Sequence, residues 1–537
     1  MTRIGVLAPG DGGDPRLGNL PRDVDAVVVG YFAPDEVTDA ITAAGIPILW
    51  NASSLRTEHA HLVQERHATV RSWLDAHDLA YGDLQPFATV DTAFADALRV
   101  AQVARAMVAA VEEAASGATI TMTAGVGLET LVRHEADRTG ITVEVRPREG
   151  RQAVGRLPQL LARARRISID HVDRNHRIRG RLAPRPRPTP PRPWQFSSYA
   201  VYSRVLGRIT DPDDGWVVNS RAAAVGSATE AVPLWHFPRA GDPGAAEAFL
   251  DAVRRAKDEA PERIGDLPLQ ASLLSDPGSR YWLGRGASDL VHEADLIRGW
   301  LRTAQPTEVR LANQWGAEGL VIQACRQEGI ATTQLQHGLL NDYYRTTPIL
   351  SDRMFVWSQA WTDQVRAGST APDVGHGPPL RQRPAAPGRR VTYFTSATTR
   401  FSLIDPDIQR SSAIQMLSAL SALGLPVAIR PHPADDLDGW TAAWKRSSDG
   451  DLVFDRRPLD QVLDETGIAI CHFSTIVVDC AAAGVPTVIF EYHPFFLEDL
   501  SHLVSIETSI AGVVRAVTEG KVLPPSVRLL DPADGPP

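Results

Sequence analysis

Val427-Ala428-Ile429-Arg430-Pro431-His432-Pro433 is an apolar run that ends in a guanidinium and an imidazole set among prolines. In open α/β sheets ligands bind beyond the carboxyl ends of strands. Pro431 and Pro433 fix the backbone there, so Arg430 and His432 are presented rather than left mobile. The pair suits a phosphate, because Arg offers a fork of donors and His donates a hydrogen bond and, when protonated, a charge. A histidine that only caps a turn is the plainer reading of the same residues. Further on, the strand pattern Ile468 to Cys471 leads through His472 and Phe473 into Ser474-Thr475 and a short apolar helix. Gly484-Val485-Pro486 and a second strand ending at Glu491 follow. A Ser/Thr pair at a helix start caps free N–H groups, and such a start carries partial positive charge. Ser474, Thr475 and Glu491 are therefore candidates for binding a second phosphate or a ribose, although a Ser-Thr cap is often only a cap. The third motif is Thr332-Thr333-Gln334-Leu335-Gln336-His337-Gly338, again a strand ending in a polar turn. Gly338 permits close backbone approach. His337 can serve as a general base on an acceptor hydroxyl, since an imidazole titrates near working pH, or it can orient hydroxyls with no proton transfer.

These residues need scaffolds that end strands in turns, and the chain supplies them. Residues 1–147 alternate strand and helix, as in a doubly wound parallel sheet. The expected strands are Ile4 to Ala8, Ala26 to Tyr31, Pro47 to Trp50, Thr119 to Thr123 and Ile141 to Val145, with long helices over Leu55 to His77 and Phe94 to Ala115. Residues 148–200 are Arg- and Pro-rich, and the run Pro184 to Pro193 excludes helix or interior strand, which reads as a linker or extended arm. A second α/β domain is expected over 201–380 and a third over 386–525, with Gly375-His376-Gly377-Pro378-Pro379 as a hinge and 526–537 as a frayed tail. Thr119 to Val145 and Glu308 to Gln334 both read strand, glycine, helix, Gly-Ile, strand, and Glu129 aligns on Glu318 with an offset of 189. Any two Rossmann-like units share such features, so this pattern supports the fold class and leaves duplication open.

The 537 residues are 43% hydrophobic and 22% charged, which excludes wholesale disorder and fibres. Cys325, Cys471 and Cys480 lie in apolar patterns and not in metal-binding pairs; they read as buried hydrophobes in a reducing compartment. With no signal-peptide pattern at the start and no run of about 18 apolar residues, the protein is expected to be cytoplasmic. A net charge of −9 argues against nucleic acid as a partner. Between Arg163 and Arg192, however, ten arginines face two aspartates. That stretch is either a solvated spacer or a contact to anionic membrane at the inner face of the plasma membrane.

Together Gln336-His337-Gly338, the segment Pro348 to Trp357, Arg430 to Pro433, and Ser474-Thr475 with Gly484-Val485-Pro486 resemble the bacterial capsular-polysaccharide glycosyltransferases and the related teichoic-acid glycerophosphotransferases. The resemblance covers roughly 306–522. It implies a GT-B fold, two facing Rossmann-like domains with parallel sheets, here with an additional N-terminal α/β region. It also implies chemistry without a metal or a cofactor, with a nucleotide-sugar as co-substrate and His432 and Ser474-Thr475 on the donor's phosphates. Glycerophosphotransferases carry a lysine soon after His-Gly, whereas here Leu339 to Arg345 has none, a departure that favours sugar over glycerol phosphate. Asp213-Asp214-Gly215 looks like the element that supplies the base in several bacterial sialyltransferases, users of CMP-sugars, and is equally a common turn.

The expected reaction is a substitution at an anomeric carbon. His337 or Asp214 deprotonates an acceptor hydroxyl on a polysaccharide or lipid-linked glycan, and the nucleotide leaves as a phosphate anion. Arg430, His432 and the Ser474 helix start would stabilise that charge, which gives His432 a catalytic as well as a binding role. Inversion follows. The alternatives are a CDP-polyol phosphotransferase, a nucleotide-sugar 2-epimerase, which needs further carboxylates that the motifs do not supply, and a non-catalytic scaffold of a polysaccharide assembly complex.

Overall fold

The computed structural model describes residues 2–7, 23–31, 33–56, 72–73, 75–77, 79–89, 91–123, 128–146, 190–198, 203, 206–207, 211, 213–219, 231–263, 267–336, 349–356, 362–363, 365–366, 373–376, 390–396, 406–432, 435, 437–447, 453–472, 474, 476–490 and 504–522. Among the described residues there are three parallel sheets, each in its own α/β unit. The expected α/β class is what the chain adopts.

The first unit holds β1 (Arg3–Leu7), β2 (Ala26–Val29), α1 (Asp35–Ala43), β3 (Ile48–Asn51), α2 (Asp91–Ala114), β4 (Thr119–Thr123), α3 (Leu128–Thr139) and β5 (Thr142–Arg146), with sheet order β3-β2-β1-β4-β5. A parallel sheet is covered on both faces, so its central strands read as continuous apolar runs. Ala26 to Val29 is all buried for this reason. Of the helix expected over Leu55 to His77, Ala52–Arg56 forms a single 3-10 turn and the segment 57–71 lies outside the described residues.

The second unit contains β6 (Pro193–Ser197), β7 (Gly215–Val218), β8 (Val232–Pro233), α4 (Pro243–Asp258), α5 (Ala287–Ala304), β9 (Glu308–Leu311), α6 (Ala317–Gln327), β10 (Ala331–Leu335), β11 (Arg353–Val356) and β12 (Asp373–His376). Its order is β12-β11-β10-β9-β6-β7-β8. Two expectations are corrected here. Residues 193–197, assigned to the linker, form a central strand: Pro193 is tolerated because it is the first strand residue, while Trp194 and Phe196 are buried. Gly375 and His376, expected in a hinge, pair with Phe355 and Val356 as the last strand of the sheet. The rest of the arm, 148–189, lies outside the described residues, but Arg192 stacks over the Trp194 ring at 5.2 Å.

The 189-residue similarity extends over most of the first two units. β2, β4, α3 and β5 begin at 26, 119, 128 and 142, and β7, β9, α6 and β10 begin at 215, 308, 317 and 331, each 189 later. β1 precedes β6 by 190. Both units place these strands in the same sheet order, and the register repeats: Thr119 pairs with Thr142 as Glu308 pairs with Ala331. Gly140 (φ 71) and Gly329 (φ 68) both adopt the left-handed conformation after the helix, where a side chain would be strained. The first unit is a structural repeat of the second.

The third unit comprises β13 (Arg390–Phe394), α7 (Pro406–Ala422), β14 (Val427–Arg430), α8 (Leu437–Ser447), α9 (Leu459–Glu465), β15 (Thr466–Cys471), α10 (Ile476–Ala482), β16 (Thr487–Phe490), β17 (Ser505–Glu507) and α11 (Ile510–Thr518), with order β14-β13-β15-β16-β17. The units share cores. Leu335, Met354 and Val356 of the second lie in one apolar cluster with Phe394, Cys471 and Val478 of the third. Glu36 of α1 accepts from the backbone N–H groups of Ile510 and Ala511, so a carboxylate of the first unit caps a helix of the third. Between the first two units, Gln85 and Gln323 exchange reciprocal bonds, Tyr81 Oη donates to Asp295, and Arg298 sits 4.8 Å over the Tyr81 ring.

Trp300 anchors the second core. It is fully buried, stacked on Phe196 (centroids 5.7 Å) and edge-on to Trp194 (6.0 Å). Trp300→Ala should lose about 3–5 kcal/mol, read as a lower denaturant midpoint for loss of near-ultraviolet circular dichroism; an unchanged midpoint would show that this aromatic stack is dispensable.

Candidate functional site at two strand-end edges

The third sheet changes direction between β13 and β15, which makes the carboxyl ends of those strands and of β14 its natural ligand edge. Pro431 has no N–H to extend the ladder beyond Arg430. The next donor, His432 N, bonds to Thr395 Oγ1 (2.7 Å) and Asp435 Oδ2 (3.0 Å), while Asp435 N returns a bond to His432 O (3.0 Å). Thr395 Oγ1 also donates to Asp435, and Thr395 N to Arg430 O (3.1 Å). The turn is thus clamped from β13, and His432 is exposed above it. Arg430 is half-buried, with Nη1 donating to Asp455 O (3.1 Å), so its stem lies along the outer edge of the sheet. Ser474 Oγ accepts from Ile476 N (3.3 Å) at the start of α10, as a cap should. His432 and Ser474 follow β14 and β15, the two neighbours of β13, so they stand about two inter-strand spacings, roughly 10 Å, apart on one edge.

Just behind, His472 is buried and its Nδ1 lies 2.7 Å from Phe490 O. A carbonyl only accepts, so Nδ1 carries the proton. Burial lowers its pKa to about 4 and keeps the ring neutral.

Of the remaining expected residues, Gln336 is buried at the end of β10, its N–H bonded to Phe355 O (2.9 Å). His337, Gly338, Thr475 and Glu491 lie outside the described residues. Asp214 is placed otherwise than its expected role as base needs. It precedes β7 and so stands at the amino edge, the opposite end of the sheet. Its Oδ2 accepts from Gln195 Nε2, Asp211 N and Arg310 Nη1, each at 3.0 Å. With 5% exposure this is an anchoring carboxylate, not one open to an acceptor.

The carboxyl edge of the second sheet holds a constellation that no motif announced. The sheet reverses between β6 and β9. Ser198, just past β6, donates its N–H (2.9 Å) and its hydroxyl to Glu318 Oε1, in the first turn of α6. Asn219, just past β7, donates Nδ2 to Glu293 of α5, and its N–H bonds to Ser197 O (3.0 Å). Glu318 is buried at 1% exposure, while Glu293 is partly exposed. Burial, then the charge of Glu318, raises the Glu293 pKa to about 7; burial raises that of Glu318 to about 7 against the Ser198 bonds. Glu318 was visible in the sequence only as a repeat position, and Glu293 only as one more polar residue in a helix.

No family model matches the sequence, and no curated protein does. Solved structures similar to it include MurG of Acinetobacter baumannii (10% identity over 62% of this chain and 91% of that one, TM-score 0.35). Others are UDP-GlcNAc 2-epimerase from Neisseria meningitidis bound to UDP-GlcNAc (10%, 61% and 90%, TM-score 0.37) and the wall teichoic acid polymerase TagF (10%, 62% and 80%, TM-score 0.34). No functional reading rests on likenesses of this size.

A carboxyl whose folded pKa is raised binds its proton more tightly in the native state. The stabilisation is full below the unfolded value near 4.5 and is lost as pH rises through about 7. Melting temperature should therefore fall between about pH 4.5 and 7 and level off above that, and Glu318→Gln should flatten that fall. Parallel curves for the two proteins would show that the pair does not hold a proton.

Proposed function

We propose that the chain is a glycosyltransferase that moves a sugar from a nucleotide-activated donor to a polysaccharide or glycoconjugate acceptor of the cell surface. The observation that carries this reading is the convergence of two separate sequence motifs, at His432 and at Ser474, on the carboxyl edge of one sheet beside its reversal point. A clamped turn that presents an imidazole and a Ser cap two strands along the same edge are what a donor's phosphates require. The motif resemblance supports the same class. A CMP-linked donor, an inverting outcome and a reaction without metal are its finer parts. Among the described residues no helix is long and apolar enough to cross a membrane. Attraction of the ten arginines from Arg163 to Arg192 to an anionic membrane is a further part of the proposal.

In this reading the acceptor oxygen attacks the anomeric carbon and the nucleotide departs with the electron pair on its phosphate. His432 and its neighbours stabilise that charge. A second reading, a nucleotide-sugar 2-epimerase, is favoured by one observation: the second sheet does supply carboxylates, the partly exposed Glu293 and the buried Glu318, at its ligand edge. Exchange of deuterium from solvent into the sugar carbon separates the two.

His432→Ala should lower turnover by about 100-fold or more with the fold retained, because the clamp on the turn is made through the backbone of His432. Unchanged turnover would count decisively against the assignment. CMP, CDP, UDP, GDP and dTDP should be ranked by thermal shift; the base that binds raises the melting temperature, and His432→Ala should reduce that rise.

A further inference from the structure

Glu293 and Glu318 share an environment that is costly for the fold. Desolvation penalises the ionised form of both, and each raises the penalty of the other if both ionise. Elsewhere in the chain buried carboxylates meet guanidinium groups: Asp214 meets Arg310 at 3.0 Å, and Asp455 meets Arg390 at 2.7 Å and Arg457 at 2.6 Å. Among the described residues no cation faces Glu293 or Glu318. The groups around the pair are Asn219 from β7, Ser198 past β6, Tyr281, and Asp289 one turn earlier on α5, a further negative charge that accepts from Tyr281 Oη (2.8 Å) and lies 3.8 Å from Arg285.

The repeat shows that the fold does not need this arrangement. Subtracting 189 from Asn219, Glu293 and Glu318 gives Gly30, Ala104 and Glu129 of the first unit. Gly30 is buried, and a side chain there would meet Leu128 at 3.2 Å and the Leu7 carbonyl at 3.3 Å. Ala104 is fully buried in apolar surroundings. Glu129 is partly exposed and pairs with Arg133 at 3.3 Å along its own helix. One scaffold thus appears twice, once closed by apolar contacts at the carboxyl end of β2 and once carrying an acid pair that no described cation neutralises at the corresponding end of β7. Burial of the pair is a property of the second site and not of the architecture.

We infer that Glu293 is the catalytic base of the transfer, taking the proton from the acceptor hydroxyl, with Glu318 as the positioning residue that sets its basicity. The inference rests on the glycosyltransferase reading above and replaces the base roles first expected of His337 and Asp214. In the step, the acceptor oxygen bonds to the anomeric carbon and the bond from that carbon to the donor phosphate oxygen breaks with its electrons on the phosphate. The acceptor's proton passes to a Glu293 carboxylate oxygen. Partial exposure gives Glu293 access to the acceptor, while Glu318 stays behind it on the Ser198 hydrogen bonds. Glu293 must be ionised to act, and its raised pKa places that ionisation near neutral pH.

The test uses the full chain with CMP-, CDP-, UDP-, GDP- and dTDP-linked sugars, water standing in for the acceptor, and nucleotide release as the readout. Glu293→Gln should slow release by about 100-fold or more at unchanged donor KM. Wild-type kcat should rise with pH through about 7, and Glu318→Gln should move that rise to lower pH by removing the neighbouring charge. Release by Glu293→Gln at the wild-type rate, or a loss expressed only in donor KM, would overturn the base role while leaving the transferase reading intact. Solvent deuterium appearing at a sugar carbon would give the pair to epimerisation instead. If wild type releases nucleotide from none of these donors, the transferase reading fails and the base role fails with it.

Discussion

A parallel sheet can be dry on both faces only if each strand returns through a helix, and this constraint organises the whole chain. It pushes polar side chains out of the strands and onto their ends, where the ladder stops and backbone groups still need partners. At the amino edge of the second sheet Asp214 is neutralised by Arg310, and beside β14 of the third Asp455 is neutralised by Arg390 and Arg457. At carboxyl edges the polar groups that gather are neutral donors and acids lacking a described cation: Thr395, His432 and Ser474 in the third sheet, Ser198, Asn219, Glu293 and Glu318 in the second.

The apolar cluster shared by the second and third units joins residues at the ends of strands in both sheets. Packing there fixes how the two edges stand with respect to one another, and Glu36 capping α11 ties the first unit into the same assembly. The repeat unit contributes the rest of this bracing through Tyr81, Gln85 and Glu135, each of which bonds to a residue of the second unit. Its own carboxyl edge, where described, is closed by Leu128 and Met107 around Gly30. A copy that has given up polar groups and gained inter-unit contacts behaves as a support.

Periodicity and strand-end chemistry made much of this legible from sequence. Thr119 to Thr123 was expected and found as a strand with the same bounds, because a short β-rich run between turn signals has few other solutions. The arm was misread at Pro193 because proline density argues against strand, and only the pairing of Trp194 with Val309 on one side and Gly215 on the other explains why Trp194 to Ser197 is extended. For the site, Arg430 and His432 announced themselves through prolines that fix the backbone. Thr395 and Asp435, which hold the turn, did not: their partners are 37 and 3 residues from His432, and a lone threonine after a strand carries no spacing signal. Glu293 and Glu318 were equally silent. A glutamate in an amphipathic helix looks like a solvated residue unless the strand ends that surround it are known.

The acid pair also explains why a raised carboxyl pKa belongs at this edge and not elsewhere in the chain. Arg457 and Arg390 hold the Asp455 carboxyl well below the ordinary range, which makes it a permanent anion and a poor proton acceptor. Glu293 has the reverse surroundings: partial burial, a second carboxyl and one amide donor. A base must hold a proton strongly enough to remove it from a hydroxyl and still be ionised part of the time near neutral pH. Ion pairing defeats the first condition, and full burial of an isolated acid defeats the second. Two carboxyls held by neutral donors, one amide for Glu293 and the N–H and hydroxyl of Ser198 for Glu318, meet both conditions without a described cation, and the chain builds that arrangement in the unit that keeps its edge polar and omits it from the unit that does not.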